Sequence, residues 1–208
     1  MTEWSFSAVA SAGCPSLARM LTAIAAEFGP VDADGIDGWL DDGARRLFGL
    51  MELDGYEQVQ RLAGVLDGEL GLRALDEGAP AELLFDRVLE RRRGHPGVLS
   101  VVGCELARRA GAPSGVYSSP SRWFIGVRTG DALTLLDAHR GFAWPDSPVR
   151  VREHCAHEVA FCVLGGLRRR FAREGAAAEA RRAGRLSLAL PIDERLHQLV
   201  RAELSALD

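Results

Sequence analysis

Apolar residues fall at helical spacing along most of the first 90 positions. Between Pro15 and Phe28 they are Leu17, Met20, Leu21, Ile24 and Phe28, and Gly29-Pro30 ends the run. Ile36, Trp39, Leu40, Leu47 and Leu50 predict a second helix that starts near Asp34. Tyr56, Val59, Leu62, Ala63, Leu66 and Leu70 predict a third, closed by Gly71. Leu83, Leu84, Val88 and Leu89 predict a fourth, which runs out at Arg91-Arg92-Arg93-Gly94. The next helix has the broadest apolar face: Val98, Leu99, Val101, Val102, Leu106 and Ala110. Pro96 suits its first turn, where a missing N–H costs nothing. A face this wide belongs at the centre of a fold, and Gly111 and Pro113 stop the helix.

The period then changes. Residues 115–118 can form a short strand, and 122–128 and 132–137 are β-rich runs joined by Thr129-Gly130-Asp131, a hairpin signal. Residues 141–148 read as a loop. After Val151 the helical pattern returns, with Val159, Val163, Leu164, Leu167 and Phe171 in one stripe and two further helices over 176–190 and 193–207. Helices, a short run of strands and helices again predict an α+β fold, with the helix from Pro96 packed on a small antiparallel sheet.

Composition narrows the function. The chain has 208 residues, 47% hydrophobic and 26% charged, with a net charge of −4. That is ordinary for a globular protein and supplies no global basic field for nucleic acid or an anionic membrane. All 25 basic residues are arginine and there is no asparagine, which we read as the codon usage of a GC-rich bacterial genome. No apolar stretch approaches the ~20 residues that span a bilayer. The start carries Glu3 and lacks a basic leader region, so the cytoplasm is the expected location. There, Cys14, Cys104, Cys155 and Cys162 are expected as free thiols, three of them within apolar helical patterns.

The segment ERRRGHPGVLSVVGCELARRAGAP, from Glu90 to Pro113, resembles the signature of the SirB-type transglutaminase-like family. Upstream, Glu69-Leu70-Gly71-Leu72 matches a phrase of that family. Downstream, Pro120-Ser121-Arg122-Trp123-Phe124-Ile125 stands where members carry a PGHFLV-like strand, and Leu136-Asp137-Ala138-His139-Arg140-Gly141 where they carry a strand end of LDPxxGG type. The tail, with Ala189-Leu190-Pro191-Ile192-Asp193-Glu194, is similar to the tetratricopeptide-like tail often attached. The likeness runs over about residues 60–200 and is most specific at 86–113. It implies a transglutaminase/papain-like core over 1–150, with a helical N-terminal subregion, and a helical tail over 151–208 packed on it.

In such a site a Cys thiolate at a helix N-terminus attacks an acyl carbon, a strand His carries the proton, and an Asp on the next strand orients the His. The resemblance places these roles at the start of the 96–110 helix, near Trp123, and at Asp137. The nucleophile slot falls at Gly97 and Val98, with Ser100 the one hydroxyl nearby; none is Cys. Tryptophan cannot take up a proton, so Trp123 reads as a buried aromatic or a cleft wall. Asp137 keeps its place and can pair with Arg122, His139 or a backbone N–H. Val98, Arg122 and Trp123 are expected to line the cleft.

The resemblance therefore implies a binding or regulatory module that has lost the Cys-His pair. The alternative is an enzyme with a rearranged site, in which Asp137 with His95 or His139 does acid–base work on an acyl or amide substrate. A third reading gives residues 153–208 a purely structural, partner-binding role. No cofactor is implied, and the partner is an unspecified protein or small-molecule ligand. On one helix His154, His157 and Glu158 would share a face with Cys162 one turn on. The spacing is not HExxH, so no metal is assigned, and metal binding by this cluster stays open. Arg91 to Arg93 and Arg168 to Arg170 read as solvated or ion-paired helix ends rather than phosphate sites.

Overall fold

The structure, a computed structural model, describes residues 5–75, 77–145 and 149–205. The end of the expected 141–148 loop and the last residues of the expected 193–207 helix lie outside the described residues.

The predicted N-terminal helices form, with ends set by local caps. Helix α2 (Leu17–Ala26) starts where Ser16 Oγ accepts the Arg19 N–H, and α3 (Ala33–Arg45) where Asp32 accepts the Gly35 N–H. Asp54 and Glu57 make a reciprocal capping box at α4 (Gly55–Ala63). The spacing predicts the third helix as one piece to Leu70, but the α-helix ends at Ala63 and passes into a π-turn over Gly64–Glu69. Helix α5 (Phe85–Arg91) ends at Arg92, whose φ is +55°. A short helix α1 (Phe6–Ala10) precedes them, and a parallel two-stranded ribbon pairs β1 (Arg73–Ala74) with β2 (Arg93–Gly94). Periodicity predicts neither, because five-residue and two-residue elements are too short to carry a period.

Helix α6 (Pro96–Arg109) is the centre of the fold. Every residue from Pro96 to Ala107 is buried. It lies across a four-stranded antiparallel sheet of order β5-β4-β3-β6, where β3 is Ser114–Ser119, β4 Arg122–Thr129, β5 Ala132–Asp137 and β6 Arg152–His154. The expected hairpin is present, with Thr129 opposite Ala132. The fourth strand, β6, falls where the sequence reading has helix. Contact between α6 and the sheet is close because Gly103 has no side chain: a Cβ there would collide with Ile125 and touch Leu66.

Polar contacts fix the helices around α6. Glu105 accepts the Ala18 N–H at 3.2 Å, placing a carboxylate at the positive end of α2. Arg109 reaches Asp37 at 2.7 Å and Asp41 at 2.5 Å on α3. The C-terminal helices are α7 (Ala156–Arg173), α8 (Ala177–Leu188) and α9 (Glu194–Ser205). Helix α7 packs on α2 and α8, and His157 Nε2 is 3.0 Å from the Ala10 carbonyl of α1. No helix among the described residues is long and apolar enough to cross a membrane.

Candidate functional site

The start of α6 is where the sequence places a nucleophile. His95 is the N-cap, and its Nδ1 accepts the Gly97 N–H at 3.1 Å. That bond assigns the proton of the neutral ring to Nε2. Above Gly97 lies the indole of Trp123. A Cβ at position 97 would stand 3.0 Å from Cε2 and 3.1 Å from Cδ2 of that ring, and 3.2 Å from His95 Nδ1. A larger side chain at 97 therefore needs the indole to move.

Strand alternation explains the placement. Ile125 points at α6, so Trp123, two residues earlier on β4, points the same way, and Arg122 and Phe124 point to the opposite face. The indole contacts a second ring. His154, at the end of β6, lies 5.3 Å from it centroid to centroid, and His95 lies 6.4 Å away edge-on. A ring nitrogen of His154 is 2.6 Å from Ser118 Oγ. Burial, and then the nearby Arg152, lower the His154 pKa below the ordinary imidazole range, against an opposing pull from Glu158.

Asp137 sits opposite Phe124 on β5 and is fully buried. Of the three kinds of partner the sequence allows, it takes two as hydrogen bonds, Arg122 and a backbone N–H. Arg122 Nη1 donates to Oδ2 at 3.1 Å, the His139 N–H donates to Oδ1 at 2.9 Å, and His139 Nδ1 is 3.7 Å from Oδ1. The last is beyond hydrogen-bond length, and His139 Nδ1 instead accepts the backbone N–H of Trp123 at 3.3 Å. The Asp is thus held by an arginine and a backbone amide, with the His139 ring close by at 3.7 Å.

The other expected cleft residues are distributed differently. Val98 is wholly inside the core, as is Ser100, whose Oγ is buried without a hydrogen-bond partner. Of Gly97 and Val98, it is Gly97 that lines the cavity beside Trp123. Arg122, also expected there, serves Asp137 on the far face of the sheet. A motif gives the neighbourhood, and a single residue along a helix or strand changes the direction faced.

Of the cysteines expected in apolar patterns, Cys104 alone is buried; Cys155 caps α7 and is exposed, as is Cys162. Burial pushes the Cys104 thiol up to about 11. The proposed single-face cluster is dispersed. His154 belongs to β6, His157 is turned to Ala10, and Glu158 caps Cys155 N–H at 3.0 Å and pairs with Arg152 at 2.9 Å. No group of three or more His, Cys, Asp or Glu side chains among the described residues is placed to hold a metal ion.

A cavity of about 520 Å³ opens between Trp123 and the helices α7 and α9. His95, Gly97 and Trp123 form one wall, and Arg168, Arg169 and Arg173 are on the other. Of 168–170, expected to be solvated or ion-paired, Arg168 and Arg170 are buried and ion-paired: Arg168 meets Glu203, and Arg170 is 3.6 Å from Glu82. Burial, with Arg169 next in weight, draws Arg168 below the usual arginine range. His154 and Arg168 are the site residues that sequence reading missed. The first had a signal, the alternation of Val149-Arg150-Val151-Arg152 ahead of it; the second had none, since burial of a charge is a tertiary property.

A model of the transglutaminase-like superfamily matches residues 16–152, which include α6 and strands β3 to β5 and end at the first residue of β6. A UPF0162 protein of Xylella fastidiosa (strain 9a5c) is 32% identical over 83 residues, 38% of this chain. The match spans 30% of that relative's own length. No solved structure matches. The helix-on-sheet core that carries Gly97, Trp123 and Asp137 thus lies wholly within the matched region, and the chain belongs to the transglutaminase-like superfamily.

Proposed function

We propose that the protein is a non-catalytic, SirB-type member of its superfamily that binds a ligand or partner in the old cleft. The observation that carries this reading is the indole of Trp123 lying over Gly97. Acyl transfer needs a nucleophile at that helix start and a proton acceptor across from it. Here one position has no side chain and the other has an indole, which donates a proton and cannot accept one. The Arg122–Asp137 pair supports the same reading, because the carboxylate that would orient an imidazole is already committed. The proposal includes the two-part organisation, a transglutaminase-like part over 1–150 and a tetratricopeptide-like tail over 151–208, and the cytoplasm as its setting.

The test is an assay of the purified protein against amide, ester and acyl-transfer substrates, with Asp137→Ala alongside. The expected result is no turnover by either. Turnover by the parent chain that Asp137→Ala abolishes would overturn the proposal and favour a rearranged site, with His95 or His139 as the base.

A further inference from the structure

Arg168 has an unmet requirement. It is 7% exposed, and its Nη2 pairs with Glu203 of α9. Its Nη1 is buried and has no hydrogen-bond partner. A buried, unpaired donor on a charged group is costly and uncommon in folded proteins. This one belongs to a side chain on the wall of the cavity that Trp123 closes at its other end.

The surroundings of Arg168 favour an anion. Four arginines line the cavity, at 168, 169, 170 and 173, against two acids, Glu77 and Glu203, although the chain as a whole carries −4. Arg170 is engaged by the Ala79 carbonyl at 3.0 Å and by Glu82. Arg169 and Arg173 stand one turn apart on α7, both exposed and neither in an ion pair among the described residues. Like charges at this spacing repel each other, and an anion between them removes the cost. Gly165 leaves room beside them: a Cβ there would meet Arg169 Nη1 at 3.5 Å and nothing nearer. The lining also has apolar members: Trp123 from the sheet, and Val159 and Phe161 from the earlier turns of α7.

We infer that this cavity binds a small molecule with an oxyanion head group, phosphate or carboxylate, held by Arg168, Arg169 and Arg173, and an aromatic-sized apolar body against Trp123. The inference deepens the binding-module reading and rests on it. The volume suits such a molecule, since small-ligand sites run from about 300 to 1,000 Å³. Glu203, on the other nitrogen of Arg168, fixes the guanidinium plane and leaves Nη1 for the ligand.

Calorimetric titration of the full chain with phenyl phosphate, benzoate and inorganic phosphate tests this and separates the two head groups. Phenyl phosphate or benzoate should bind at one site, with inorganic phosphate competing. Arg168→Met should weaken binding about tenfold, the size of one charge-assisted hydrogen bond. Because Arg168 is buried and its loss can disturb folding, Arg169→Gln and Arg173→Gln on the exposed face provide the second arm. Each should weaken binding about threefold to tenfold, and added salt should do the same to the parent chain. Trp123→Ala should weaken phenyl phosphate and benzoate and leave inorganic phosphate unchanged. Absence of saturable binding by all three probes, or binding unaltered in both Arg169→Gln and Arg173→Gln, overturns the inference. Turnover of an acyl substrate by a protein that still binds phenyl phosphate at these arginines overturns the non-catalytic reading alone.

Discussion

Gly97 and Trp123 share one volume: the indole occupies the space a side chain at 97 would need, 3.0 Å from its Cβ. The pair is therefore coupled. Gly97→Cys in the parent chain should destabilise by about 1–3 kcal/mol through overpacking. In a Trp123→Ala background the same change should cost less, giving an interaction energy of about 0.5–3 kcal/mol in a double-mutant cycle. Urea unfolding of the four proteins measures it. Additive effects would mean that the ring yields freely and does not plug the slot.

Asp137 anchors two donors, the Arg122 guanidinium and the His139 N–H. Removing it in Asp137→Ala withdraws the acceptor for the Arg122 guanidinium and for the His139 N–H. The expected loss is about 1.5–3 kcal/mol, the range for hydrogen bonds to a charged group, read as a lower urea midpoint at unchanged slope. Asp137→Asn keeps an acceptor for the backbone amide and should lose less. Equal losses from the two variants would assign the whole effect to the Arg122 pair.

The α+β order, the central helix and the β4–β5 hairpin were legible in the chain because long amphipathic helices and alternating strands declare their period. Helix α6 was placed to within a residue by Pro96 and Gly111. What was not legible depended on contacts distant in sequence. Strand β6 is three residues long and exists because Val116, Tyr117 and Ser118 pair with it. Reading these residues as helix also set His154 and Glu158 on one helix, whereas His154 is on the strand and lies 3.7 Å from Glu158. The site was legible as a neighbourhood and not as a geometry. Trp123, Gly97 and Asp137 were all named, yet the fit of the indole onto Gly97 and the recruitment of Arg122 to Asp137 required coordinates.

Thiol reactivity should separate the cysteines by environment. Burial pushes Cys104 up to about 11, so almost no thiolate is present near neutral pH, and Sγ is wholly covered. Cys162 is exposed over part of its surface, but crowding around its thiol also raises its pKa. Under native conditions iodoacetamide should modify Cys14 and Cys155 first, Cys162 more slowly, and Cys104 only after denaturation. Peptide mass spectrometry over time reads the order. Fast, selective labelling of Cys104 would reveal an activated thiol in α6 and contradict the packing around it.

The last expectation is a pH dependence with a definite sign. His154 is buried to 8% exposure between Ser118 and Trp123, and burial followed by Arg152 lowers its folded pKa below the unfolded value of about 6.5. The folded state therefore binds this proton less readily than the unfolded chain does. Its contribution is fully present above about pH 6.5 and is lost as pH falls from there through the folded pKa. Facing groups shape the window: Arg152 disfavours the proton, Glu158 favours it at 3.7 Å, and Ser118 Oγ can accept from the charged ring and accept from or donate to the neutral one. Melting temperature should drop on acidification just below pH 6.5, and His154→Gln, which cannot protonate, should flatten that segment of the profile. A variant with the same acid slope as the parent would place the titrating group elsewhere. A slope of opposite sign would mean that Glu158 outweighs burial and that the ring is held as a cation beside Trp123.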